Sequence, residues 1–340
     1  MSVYLFYGEE EYFLQNKVKK IKKEFGELIK GINYISLDET NINSLISDLE
    51  TPAFGYDKKL IIAKDTGLFK KEKRTSKTSN KETTKKRTKN SGETGKSLVE
   101  KIANYIKENI DTINNSVELI FIEKEPEKNI LYENIEKLGE VTNFELLKLP
   151  QLVSNIEKIS KAYNVEIDDN TAKYLVECCG SGMQELINEL RKVIEYAGNG
   201  GKITKTSIDE LCIKQIQAII FDLTDYLGAK NIAKALDILK KLEYNKEPVQ
   251  KILITLYNHF KKLYIVKISQ EYGTNLAESM NLKPNQLFLT RKYSEQAKYF
   301  SKQELRNIMQ ELVNLDAGYK QGLIDLDIGL DSILCRYCSK

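Results

Sequence analysis

The change of hydrophobic period near residue 147 constrains this chain more than any other feature. Before it, short apolar runs alternate with segments of helical spacing. Residues 3–7, 33–37, 59–64, 117–122 and 141–146 read as strands. Between them Leu14, Val18, Ile21 and Phe25 recur on one helical face, and Ile42, Leu45, Ile46 and Leu49 on another. Residues 98–110 and 128–138 add two more helices. Strands alternating with helices imply a parallel sheet covered on both faces. After Lys148-Leu149-Pro150, which reads as a hinge, the strand signals nearly vanish.

Residues 151–163, 170–179 and 183–197 read as three helices, and Ser207 with Glu210 fits a capping box for a fourth. From about Ile213 the chain is all helical. Ser301 and Glu304 form a second capping box, opening a helix lined by Leu305, Ile308, Leu312 and Leu315. The expected organisation is therefore an α/β domain over 1–147, a small helical domain over 148–212 and a helical bundle over 213–340. A chain of 340 residues is long for one core, which agrees. No apolar run approaches the ~20 residues that span a bilayer. The first residues read as a strand rather than a signal peptide, so a cytoplasmic protein is expected.

Charge is unevenly placed. The net +3 divides into +8 over residues 70–96 and −5 over the rest. That segment holds no apolar or aromatic residue, and we expect it to be a disordered insertion. Lys85, Lys86, Arg87 and Lys89 are its candidate DNA-contact residues, through phosphate alone, since aromatics for base stacking are missing.

The enzyme-like signals fail one by one. Gly95-Lys96-Ser97 matches the end of a phosphate loop, but Asn90 stands where the pattern needs glycine, and no buried strand precedes it. The loop after the first strand reads Gly8-Glu9-Glu10-Glu11, whose carboxylates would repel phosphate. Asp65, at the end of the third strand, has no phosphate loop to work with. Cys335 and Cys338 have metal-ligand spacing but no second pair, and His259, the only histidine, lies in a helix pattern. Neither a catalytic residue nor a metal or cofactor is expected. A P-loop ATPase using Lys96 and a DNA-binding module acting through the basic segment remain the alternatives.

One segment stands apart: Thr51-Pro52-Ala53-Phe54-Gly55, between a helix that Pro52 ends and the third strand. A phenylalanine in a tight turn is either an anchor in its own core or a contact residue for a partner's pocket.

Taken in order, several stretches resemble the delta subunits of bacterial DNA polymerase III, the clamp-loader family. They are Tyr4-Leu5-Phe6-Tyr7-Gly8-Glu9-Glu10-Glu11-Tyr12-Phe13, Pro52-Ala53-Phe54-Gly55 with Lys59-Leu60-Ile61-Ile62, and Gly180-Ser181 through Asn188-Glu189-Leu190-Arg191-Lys192. Ile220-Phe221-Asp222-Leu223, Glu247-Pro248 and Lys320-Gln321-Gly322-Leu323-Ile324-Asp325 complete the series. The resemblance implies an AAA+-like α/β domain without a functional phosphate loop, a helical lid and a helical collar. It implies a noncatalytic subunit that binds and opens the beta sliding clamp for loading onto primed DNA. Its partners would be that clamp, the motor (tau/gamma) subunits and the delta-prime subunit. Clamp contact would map to Pro52, Ala53, Phe54 and Gly55, and Met183 would stand near a nucleotide-sensing arginine of active relatives.

Overall fold

A computed structural model describes residues 2–70, 97–244 and 246–338. Within it the chain divides into two compact units, Met1–Leu146 and Leu147–Lys340.

The first unit contains β1 (Val3–Tyr7), α1 (Glu11–Phe25), β2 (Tyr34–Leu37), α2 (Leu45–Glu50) and β3 (Lys59–Lys64). It continues through α3 (Leu98–Glu108), α4 (Ile110–Ser116), β4 (Val117–Glu123), α5 (Ile130–Leu138) and β5 (Glu140–Asn143). The five strands form one parallel sheet in the order β2-β3-β4-β1-β5. Side chains alternate across the pleat, so the central strands β1, β3 and β4 feed two cores. Val3, Leu5, Ile61, Ala63, Leu119 and Phe121 pack on one face against α2, α3 and α5. Phe6, Leu60, Ile62, Ile120 and Ile122 pack on the other against Leu14, Val18 and Ile21 of α1. The expected parallel α/β sheet is what forms.

Details differ from the sequence reading where caps decide the ends. The helix expected over 98–110 breaks at Asn109 into α3 and α4. The last strand is shorter and pairs only with β1, through Glu140–Asn143.

The second unit is helical. Its elements are α6 (Leu149–Ala162), α7 (Asp169–Cys179), α8 (Met183–Ala197), α9 (Lys205–Leu211) and α10 (Ile216–Gly228). There follow α11 (Ile232–Tyr244), α12 (Val249–Tyr272), α13 (Leu276–Ser279), α14 (Leu289–Ala297), α15 (Lys302–Lys320) and α16 (Leu326–Cys338). Pro150 lies inside the first turn of α6, where its missing N–H costs nothing, so Leu149 and Pro150 open the helix. Thr204, not Ser207, caps α9: the Thr204 hydroxyl accepts from Ser207 N–H, and Ser207 Oγ accepts from Thr204 N–H. Ser301 and Glu304 form the expected reciprocal box on α15.

One apolar core joins α10, α11, α12, α15 and α16 through Ile220, Leu239, Leu256, Leu312 and Leu330. Inside it lies His259, fully enclosed on α12. Its Nδ1 stands 3.2 Å from Gln217 Nε2 and its Nε2 2.8 Å from Gln296 Oε1. An amide nitrogen can only donate and an amide oxygen only accept, so the ring is neutral with its proton on Nε2. Burial holds its pKa down at about 3. Gln296 Nε2 in turn donates to Phe221 O and Asp225 Oδ1. The single histidine is therefore a satisfied core residue.

Candidate functional site: an aromatic turn and a closed phosphate position

In an open α/β sheet ligands bind beyond the carboxyl ends of the strands, where the strand order reverses. Here that place is the end of β1, between β4 and β5. Nucleotide binding there would need free main-chain N–H groups aimed outward. The chain uses them itself. Gly8 N–H donates to Lys124 O at 3.2 Å and Glu10 N–H to Phe144 O at 3.0 Å. Glu11 N–H donates to Glu9 O, and Phe144 N–H closes the loop onto Tyr7 O at 2.7 Å. Gly8 has φ +121, and a Cβ there would lie 2.3 Å from Phe144 O. The segment after β5 thus packs on this loop and engages its main-chain groups.

The neighbouring strand ends carry acids with local duties. Glu123, at the end of β4, is buried and accepts from Thr66 N–H at 2.8 Å and Thr66 Oγ1–H at 2.6 Å. Its pKa is raised, chiefly by burial. Asp65 adopts φ 49 in an exposed turn and donates its N–H to Ile122 O. Met183, the first residue of α8, is buried. Lys96 and the basic residues Lys85, Lys86, Arg87 and Lys89 lie outside the described residues. Cys335 and Cys338 both fall in α16.

The turn after α2 is built differently. Thr51 ends the helix, donating its N–H and its hydroxyl to Ser47 O at 3.0 and 2.7 Å. Pro52 follows, exposed. Tyr56 N–H then donates to Ala53 O at 3.1 Å, closing a four-residue turn around Phe54 and Gly55. Gly55 has φ 79 at the third position, which is the type II geometry that favours glycine. Phe54 is left at the apex with 78% of its surface in solvent. It is the only phenylalanine among the described residues that is exposed. Ala53 is half-buried, so Pro52 and Phe54 form the apolar tip.

The base of this turn is held by a residue the sequence reading passed over. Lys59 opens β3, and its side chain is buried. Its ammonium donates to Asp48 O at 2.7 Å and also to Thr51 O. These carbonyls belong to the last turn of α2 and its cap, which have no intrahelical donor. A cation there also meets the negative end of the helix dipole. Burial lowers the Lys59 pKa, with the Asp48 carboxylate opposing. The signal was available in KLIIAK, a strand whose first residue is charged yet precedes an apolar run.

Two family descriptions match this chain. "DNA polymerase III, delta subunit" covers residues 4–137, and "DNA polymerase III delta subunit, C-terminal domain" covers residues 217–337. A probable DNA polymerase III subunit delta of Aquifex aeolicus is 26% identical over 324 residues, spanning 93% of this chain and 85% of that protein. The DNA polymerase III subunit delta of Bacillus subtilis is 24% identical over 341 residues, spanning 98% and 92%. Among solved structures, the Bacillus subtilis DNA clamp loader delta protein superposes with a TM-score of 0.70 at 21% identity. The superposition covers 100% of this chain and 96% of that one. Among the described residues no helix is long and apolar enough to cross a membrane. With both family descriptions matched in their proper order, the chain belongs to the DNA polymerase III delta subunit family.

Proposed function

We propose that this protein is a clamp-opening subunit of the DNA polymerase III clamp loader that does not hydrolyse ATP. The observation that carries this reading is Phe54, an exposed aromatic on a turn fixed at both ends. Pro52, Gly55, the Tyr56–Ala53 hydrogen bond and the Lys59 clasp supply the fixing. A contact residue held in place before binding loses little freedom on binding. A buried phenyl ring contributes about 1.5–3 kcal/mol, enough to anchor an interface. Pro52, Ala53, Phe54 and Gly55 are the proposed clamp-binding residues, with the beta sliding clamp as partner.

The use of the β1 loop amides by Lys124 and Phe144 supports a subunit moved by ATP hydrolysed elsewhere in the assembly. Residues 148–212 are the proposed lid and 213–340 the proposed collar. The collar would meet the motor (tau/gamma) and delta-prime subunits. Leu323, Ile324, Ile328, Val313 and Tyr319 are all exposed on α15, α16 and the link between them. These exposed apolar side chains are the proposed association surface. Primed DNA is met through the assembled complex, in the cytoplasm.

The deciding experiment is capture of the sliding clamp by the full chain without nucleotide. Capture is expected. A chain that binds clamp only with ATP, or that binds and hydrolyses ATP alone, would overturn the reading.

A further inference from the structure

Three side chains in the helical part of the chain converge without a role in the proposed function. Cys179 is the last residue of α7, Cys212 caps the end of α9, and Glu189 lies within α8. One atom from each, two sulfurs and a carboxylate oxygen, lie within 4.8 Å of one another. Both cysteines are buried, at 2% and 8% exposure. Cys212 Sγ also lies 3.9 Å from the Glu189 main-chain oxygen. The glutamate side chain keeps 14% of its surface in solvent, which leaves an entry path on its side.

We infer that Cys179, Glu189 and Cys212 form a binding site for one zinc(II) ion. Two thiolates and a carboxylate suit a borderline-soft divalent cation, with water as the fourth ligand. Zn–S bonds of about 2.3 Å at tetrahedral angles place two sulfurs about 3.8 Å apart. From separations of at most 4.8 Å, closing onto the ion therefore needs the sulfurs to move together by at most about 1 Å and each sulfur and the carboxylate oxygen by at most about 1.2 Å.

The carboxylate is already held by hydrogen bonds, as metal-bound carboxylates are. Its Oε2 accepts from Ile213 N–H at 2.7 Å and pairs with Lys192 Nζ at 2.6 Å. The ends of α7 and α9, where main-chain carbonyls concentrate negative charge, both meet the site and favour a cation. A disulfide would need only the two sulfurs; the third ligand from a third helix is what points to a metal.

Binding displaces one proton from each thiol to solvent and forms two Zn–S bonds and one Zn–O bond, with no change of oxidation state. The complex carries one net negative charge, which the Lys192 ammonium offsets. The ion would tie α7, α8 and α9 together across long sequence separation.

The test is titration of the full chain, isolated with a phosphine reductant, with cobalt(II) as the spectroscopic probe and then zinc(II). About one equivalent is expected, with a thiolate-to-cobalt charge-transfer band that zinc abolishes. Glu189→Gln should weaken cobalt binding roughly tenfold or more. Cys179→Ala with Cys212→Ala should remove the band, whereas Cys335→Ala should leave it intact. Zinc should also raise the melting temperature of the unaltered chain, a readout that needs no variant to fold. Absence of stoichiometric binding or of the rise in melting temperature would overturn the site. So would a band that survives the double substitution, or two thiols that join as a disulfide despite the zinc.

Discussion

The buried ammonium of Lys59 donates to the main-chain oxygen of Asp48 at 2.7 Å, joining the start of a strand to the end of the helix that precedes it. The segment between these two residues carries Phe54. Helix end and strand start are therefore locked together, and the aromatic tip projects from a closed base rather than from a free loop.

Lys59→Met should leave the Asp48 and Thr51 carbonyls without their donor. The expected loss is about 1–3 kcal/mol of stability, read as a lower midpoint in urea. Clamp affinity should fall as well under conditions where the variant is folded, since the turn loses its tether. Unchanged affinity in the folded variant would remove Lys59 from any role in positioning Phe54.

Phe54→Ala should lower clamp affinity by about 2 kcal/mol, roughly 30-fold, measured by surface plasmon resonance. The ring is mostly in solvent, so the melting temperature should hardly move. A large drop in melting temperature would mean that Phe54 serves its own core.

Two glycines with positive φ should respond differently to alanine. At Gly55 nothing lies within 4 Å of an added Cβ, so the cost is the left-handed conformation alone, about 1 kcal/mol. At Gly8 the Cβ would strike Phe144 O at 2.3 Å, and the loop that closes the phosphate position must move. Gly8→Ala should therefore be the more destabilising by chemical denaturation; equal costs would contradict the packing described.

His259 should shape the acid limb of stability. Its pKa is lowered from 6.5 to about 3 in the folded chain. The ring faces Gln217, Gln296 and Tyr293, with Lys262 adding repulsion to a proton and Asp225 one hydrogen bond beyond Gln296. The unfolded chain thus takes up the proton first. The contribution is complete above the unfolded pKa and is lost as pH falls toward the folded one, at about 1.4 kcal/mol per unit. Relative to the wild type, His259→Gln should flatten denaturation midpoints against pH over that window by one proton. An unchanged slope would show that His259 does not titrate with folding.

Leu323→Asp with Ile328→Asp should abolish co-elution with the motor subunits in gel filtration while leaving clamp capture intact, because both residues are exposed in the second unit. Co-elution that persists would place the association surface elsewhere.

Sequence alone determined the order and kind of the elements. Short continuous apolar runs at 3–7, 59–64 and 117–122 specify strands buried on both faces, whereas apolar residues spaced by three and four mark helices. Sequence also singled out Pro52 to Gly55, since proline and glycine restrict the backbone locally. Tertiary structure decided the rest. Whether Phe54 faces solvent depends on what the sheet leaves uncovered, and no local pattern encodes that. That Lys124 and Phe144 occupy the hydrogen-bond donors of the β1 loop follows from β1 lying between β4 and β5, strands distant in sequence. The meeting of Cys179, Glu189 and Cys212 has the same origin. Packing of three helices brings them together, whereas the one spacing that looked like a ligand pair, Cys335 and Cys338, lies along a single helix.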